Sequence, residues 1–303
     1  MKVVYSPRYG VDIGPHIFPT QKYQLVHERL LETRVVDSSD VLAPEPAAWE
    51  DLALVHTADY LAGLRGGTLS EEAMLQLELP WSPGMVDGFR TMVGGTILAA
   101  RRAVADRTTV AHIGGGLHHA FPNHGEGFCP FNDVAVAIRV LQRDGLTSRV
   151  AVIDLDVHHG NGTAFVFQSD LRVYTFSMHQ QHNYPMWKPR GTLDIGLADG
   201  IGDAAFLEEL KEALPDVMAS APECVFYLAG ADPYEHDQLG GLRLTQEGLR
   251  RRDRMVIETV RRAGVPLVVV LAGGYARRVD ETVAIHVATI EEARQATEMP
   301  SPN

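Results

Sequence analysis

Six apolar, β-branched runs recur along the chain: KVVYS at 2–6, RTTVAHIGG at 107–115, RVAVIDLDV at 149–157, RVYTFSM at 172–178, ECVFYLAG at 223–230 and VPLVVVLAGG at 265–274. The later runs are apolar at consecutive positions, which is the pattern of strands covered on both faces in a parallel sheet. Helix-like stretches lie between them, at 129–145, 203–220 and 245–264. The first and third end at Gly145 and Gly264, as helices often do, and Asp203 is the expected N-cap of the second. Alternation of strand and helix predicts an α/β fold: three layers, α/β/α, around a mostly parallel central sheet. The first hundred or so residues read mostly as helix, with LELPWSPGM (77–85) as an irregular loop, and MPSPN (299–303) reads as a frayed tail. No repeat or linker divides the sequence, so one domain over residues 1–303 is expected.

Composition narrows the function. A net charge of −12 argues against nucleic-acid binding, because phosphate neutralisation needs clustered Lys and Arg. The same charge favours encounter with a cationic partner. Two distant cysteines, Cys129 and Cys224, suit neither a zinc ribbon nor a disulfide framework and suggest a reducing compartment. No apolar run is long enough to span a bilayer and no leader is visible, so no membrane is expected and a cytoplasmic location is. Histidine is distributed unevenly: eight of 13 fall between His112 and His182, which marks that segment as a site.

Ligands in such sheets bind at the carboxyl ends of the strands. Those ends read GGGLHH, DLDVHHGNG, SMHQQHNYP, AGADPYEHD and AGGY, and every one carries polar or metal-capable groups. Strand alternation through VIDLDVHH would point Asp154, Asp156 and His158 to one side. An Asp-x-His pair at a strand end suits zinc or a similar divalent ion. Two buried aspartates need compensating charge, and the motif contains no Lys or Arg. Asp232 would supply a third ligand from another strand end. Three protein ligands leave a position for water, as in catalytic sites.

The adjacent His118 and His119 then have a use, since a metal-activated water needs a base to take its proton and deliver it to a leaving group. Asp154 and Asn161 are the polar candidates to orient the two rings. Tyr275 follows two glycines at the last strand end, where a phenol can donate to a developing oxyanion.

Taken in order, GGGLHHA (114–120), GFCPFND (127–133), IDLDVHHGNG (153–162), AGAD (229–232) and AGGYA (272–276) resemble the zinc-dependent histone deacetylase family, within the arginase/deacetylase fold. The chain is most similar to the class IV branch and its bacterial relatives. The resemblance implies hydrolysis of an N-acyl amide, with acylated lysine of a protein or a small acylated amine as partner. By position, Asp156, His158 and Asp232 would hold Zn2+, with Fe2+ as the alternative those N/O ligands also accept. His119 would be the general base and then acid, His118 with Asp154 would tune the site, and Tyr275 would stabilise the oxyanion. Gly127 and Phe128 would line a narrow acyl-lysine channel, with Tyr184 as the opposite wall. Leu239 stands where polyamine-preferring relatives carry an acidic gatekeeper. Asp154 and Ser177, with nearby carbonyls, resemble the family's structural K+ site. Asn161 departs from members that carry Asp, and a neutral partner should stabilise imidazolium less than a carboxylate would. The rival readings are an arginase-like ureohydrolase, for which the carboxylates of a second metal are missing, and a non-catalytic acyl-lysine-binding protein.

Overall fold

In the computed structural model, which describes residues 1–298, the apolar runs form strands of a single sheet. In chain order these are β1 (Val3–Val4), β2 (Val41–Leu42), β3 (Thr109–His112), β4 (Val150–Asp154), β5 (Val173–Gln180), β6 (Leu193–Leu197), β7 (Cys224–Leu228) and β8 (Leu267–Val270). The strand order is β2-β1-β3-β8-β7-β4-β5-β6, and every pairing between these strands is parallel. Every residue of β3, β4, β7 and β8 is buried, which is why these segments read as unbroken apolar runs.

Two strands were not visible as apolar runs. β6 lies at the sheet edge, contains Asp194 and Gly196, and alternates between half-buried and exposed positions up to the buried Leu197. β2 is only two residues long.

The helices start where local chemistry starts them. Ser82 accepts a hydrogen bond from the Met85 N–H ahead of Pro83–Asp106, Asn132 does the same for Asp133–Arg143, and Thr245 for Gln246–Arg262. Helix Asp203–Ala219 differs from expectation, since its N-cap is Gly202. The Asp203 carboxylate instead accepts from the Thr245 N–H and hydroxyl, at 2.9 and 2.7 Å, tying the starts of two helices together. Helix Pro83–Asp106 packs on Asp133–Arg143, whereas Gln246–Arg262 packs between Asp203–Ala219 and Val279–Glu298. Members of both groups touch β3, so both faces of the sheet centre are covered. Among the described residues no helix is long and apolar enough to cross a membrane. The expected frayed tail at 299–303 lies outside the described residues.

This order places the carboxyl ends of β3, β8, β7, β4 and β5 side by side. The motif-bearing loops therefore meet at one edge of the sheet, although they are far apart in the chain.

Candidate active site

β4 stops at Asp154, so Asp156 and His158 do not continue a strand's alternation. A turn brings them round: the Asp156 N–H donates to Asp154 Oδ1 at 3.2 Å, and the His158 N–H to Asp156 Oδ1 at 2.9 Å. Asp232, after β7, accepts from the Val157 N–H at 2.9 Å, and Asp156 Oδ2 from the Gly273 N–H at 2.8 Å. Gly273 is required here, because a Cβ would stand 2.0 Å from Asp232 Oδ2 and 2.6 Å from Asp156 Oδ2.

Asp156, His158 and Asp232 are all buried and each offers a donor atom within 4.8 Å of the others. Asp232 Oδ2 is buried with no hydrogen-bond partner. Burial and the Asp156 charge push the Asp232 carboxyl up to about 7. Burial opposes charge on His158, yet Asp156 and Asp232 hold its pKa up at about 10. Both shifts reflect the negative charge concentrated on Asp156 and Asp232. Two carboxylates and an imidazole with one orphaned oxygen fit a divalent ion, with His158 binding as neutral imidazole.

The paired histidines, both buried, sit in contrasting surroundings. His118 Nδ1 donates to Asp154 Oδ2 at 2.7 Å, and its Nε2 meets His119 Nε2 at 3.1 Å. Burial opposes its charge, but Asp154 and Asp156 outweigh burial and raise its pKa to about 9. His119 Nδ1 donates to Asn161 Oδ1 at 2.7 Å, which leaves its Nε2 with the lone pair. Burial, then the positive charge of His118 and His158, holds His119 well below the usual histidine range. One ring is suited to carry charge and the other to accept a proton.

Tyr275 follows β8, its phenol pKa driven upward by burial and then by Asp156 and Asp232, so the hydroxyl stays a donor. Its ring centroid lies 6.5 Å from that of His158 and 6.0 Å from that of Phe128. Tyr184 stands edge-on to His119 at 5.0 Å. Gly127 passes between them: a Cβ there would lie 2.8 Å from His119 Cδ2 and 2.9 Å from Tyr184 Cε1, and its φ of +53° is left-handed. Phe128, Tyr275, His118, His119, Asp156 and Gly273 border a cavity of about 20 Å³, room for about one water. The carbonyl of Leu239 accepts from Asn183 Nδ2 at 2.8 Å, so Leu239 joins the Tyr184 loop. Ser177 stands opposite Asp154 in the β4–β5 register, but its hydroxyl meets His179 Nδ1 at 3.0 Å.

Four residues at the site were not singled out from the sequence, although Asp237 closes the AGADPYEHD segment. Asp237 accepts from the Tyr275 N–H at 2.6 Å and from the Leu239 and Gly240 N–H groups, fixing the phenol's backbone. Lys22, fully buried and lowered by burial to about 8, donates to the Ala272 carbonyl at 2.9 Å. Phe18 stacks on Phe128 at 5.9 Å. Glu126 lies behind Asn161, accepting from its Nδ2 at 2.7 Å.

The chain is similar to known proteins in both sequence and fold. Residues 16–290 match the histone deacetylase domain. The chain is 44% identical over 296 residues to an uncharacterized protein of Picosynechococcus, covering 96% of this chain and 98% of that one. It is 31% identical to Histone deacetylase 2 of Arabidopsis thaliana, covering 94% of this chain and 77% of that one. It is 32% identical to the acetoin utilization protein AcuC of Bacillus subtilis, covering 80% and 68% respectively. A crystal structure of an HDAC homolog complexed with SAHA superposes with a TM-score of 0.84 at 25% identity, covering 99% of this chain and 85% of the other.

Proposed function

The chain belongs to the histone deacetylase family, and from that premise we propose that it removes acetyl or longer acyl groups from N-acyl-lysine or a related acylated amine. It would do so as one catalytic domain over residues 1–303, in the cytoplasm, where its free Cys129 and Cys224 would stay reduced. The observation that carries the reading is the orphaned oxygen of Asp232 within a buried carboxylate–imidazole triad, directly beside a base-ready histidine. Zn2+, with Fe2+ as the alternative, held by Asp156, His158 and Asp232, would supply Lewis acidity to the water and to the acyl carbonyl.

The protein's own groups do the rest. His119 takes the water's proton at Nε2 and returns it to the departing amine, with Nδ1 held by Asn161. His118, charged against Asp154, stabilises the anionic transition state electrostatically. Tyr275 donates its hydroxyl proton in a hydrogen bond to the oxyanion, on a backbone fixed by Asp237. Phe128 and Tyr184, with Gly127 against the Tyr184 ring, confine the alkyl stem of the substrate and keep bulk water out. Leu239 presents no charge at the rim, which favours acyl-lysine over acylpolyamine. A K+ at Asp154 and Ser177 draws no support from the side chains, whose hydrogen-bond partners are His118 and the Asp156 N–H for Asp154 and His179 for Ser177.

The test is an acyl-chain panel on a lysine peptide, with acetylpolyamines included, comparing wild type with His119→Ala. Hydrolysis of at least one acyl-lysine is expected, reduced about 10²–10⁴-fold in the variant. Silence on every acyl amide would sink the reading.

A further inference from the structure

The neutral amide beside His119 is not the end of its hydrogen-bond chain. Asn161 accepts from His119 Nδ1 through Oδ1 at 2.7 Å and donates through Nδ2 to Glu126 Oε1, also at 2.7 Å. With an imidazole N–H on one side and a carboxylate on the other, this is the only orientation of the amide that satisfies both ends. Glu126 is itself firmly held. Gln76 Nε2 donates to Oε2 at 3.0 Å, His124 Nε2 lies 3.4 Å from the same oxygen, and the Tyr184 phenol is near enough to lower the carboxyl's pKa while the carboxylate raises the phenol's. Its side chain is 14% exposed, and among the described residues no Lys or Arg forms an ion pair with it. Burial favours the neutral acid, but His124, Asn161, Tyr184 and Gln76 outweigh burial and keep it an anion.

We propose that Glu126 is a positioning residue. Its carboxylate, acting through the Asn161 amide, orients the His119 ring and strengthens the His119–Asn161 hydrogen bond, while the same carboxylate anchors the Tyr184 wall of the substrate channel. The inference rests on the deacylase reading, in which His119 is the base.

Physical chemistry favours a relay over a loop tie. A carboxylate pulling on Nδ2–H makes Oδ1 a better acceptor, because hydrogen bonds in series polarise one another. No proton passes along the chain, since an amide has none to give up here. His118 therefore has its carboxylate in direct contact, and His119 has one a single amide away. That separation lets the anion fix the ring without placing a charge directly against the imidazole. Glu126 also gives channel and base a common anchor, so a substrate that seats Tyr184 finds His119 already aligned.

The experiment compares Glu126→Gln, Asn161→Ala and the double variant in the metal-loaded enzyme, with Glu126→Asp as a second probe should the amide variant fold poorly. Glu126→Gln should lower kcat for the best acyl-lysine peptide about tenfold, on the scale of lost second-layer partners. In the Asn161→Ala background the same change should cost less than about twofold, because the relay is already cut. Proton NMR supplies a readout that needs no turnover: the His119 Nδ1–H resonance should move upfield in Glu126→Gln and stay put in Tyr184→Phe. Glu126→Asp, which keeps the charge but shortens the reach, should move the resonance like Glu126→Gln. Additive losses, or an unmoved resonance in Glu126→Gln, would overturn the relay. A wild type silent on every acyl amide defeats the deacylase reading instead, and the resonance still decides the relay.

Discussion

Two histidines of the site, His118 and His158, and two of the supporting scaffold, His56 and His112, are all buried, yet they are driven to opposite charge states. His118 and His158 face Asp154, Asp156 and Asp232, and their pKa values rise to about 9 and about 10 against the pull of burial. His56 and His112 have only neutral partners. His56 Nδ1 donates to the Phe121 carbonyl at 3.0 Å and its Nε2 accepts from the Asn132 N–H at 3.1 Å. His112 lies between the Thr96 hydroxyl, at 3.0 Å, and the Tyr9 hydroxyl, at 2.8 Å. Burial lowers these two to about 4 and about 3. Burial alone therefore does not define the site. The carboxylates do, and buried carboxylates are costly unless paired with positive charge or hydrogen-bond donors.

The strongest way to break this contrast is to remove the carboxylate whose Oδ2 has no hydrogen-bond partner. Asp232→Asn should abolish tight divalent-ion binding, measured as metal content after dialysis. It should also cost at least about 10²-fold in kcat/KM, since even outer partners of metal ligands are worth 10–100-fold. Chelation of the wild type should do the same, with Zn2+ restoring activity. An Asp232→Asn variant with full metal content would remove the electrostatic argument for the triad.

The scaffold side yields a pH dependence. Folded His56 titrates near 4 against about 6.5 when unfolded, so the unfolded chain binds the proton first. The stability His56 confers is fully present above pH about 6.5 and is lost as pH falls from there toward 4, by about 3 kcal/mol at about 1.4 kcal/mol per unit. His112 acts in the same direction over a wider window, down to about 3. Urea unfolding at pH 7 and pH 4.5 should show the loss, and His56→Gln should flatten the slope. A variant slope equal to wild type would mean that the neutral-partner account of His56 is wrong.

The same contrast explains what could be read in advance. β4, β7 and β8 were legible because full burial leaves an unbroken apolar run, and the triad was legible because its members follow those runs within a few residues. The edge strand β6 was not, because one-sided exposure admits Asp194 and Gly196. Asp156 and His158 were identified by type and spacing, although a turn rather than a strand brings them together. Glu126 and Asp237 were not singled out for another reason. They act on Asn161 and Tyr275 from 35 and 38 residues away, and no local spacing rule connects such pairs. Lys22 meets Ala272 across 250 residues, and an amphipathic helix start gives no sign that its lysine will be buried.

The finest test of the contrast lies between His118 and His119. A carboxylate placed directly on His119 should convert it toward the charged behaviour of His118, but Asn161→Asp alone would set that carboxylate against Glu126, where the amide now donates at 2.7 Å. Two anions at that separation repel, so the single variant should bind a shared proton and move His119 little. Asn161→Asp combined with Glu126→Gln removes the clash and leaves one carboxylate on the ring. A base whose pKa is raised stays protonated to higher pH, so the acid limb of kcat/KM should shift upward in the double variant by about one unit. The single variant should shift it by less. Equal shifts in the two would mean that Glu126 does not reach His119 through residue 161, and the two histidines would then differ only in their nearest neighbour.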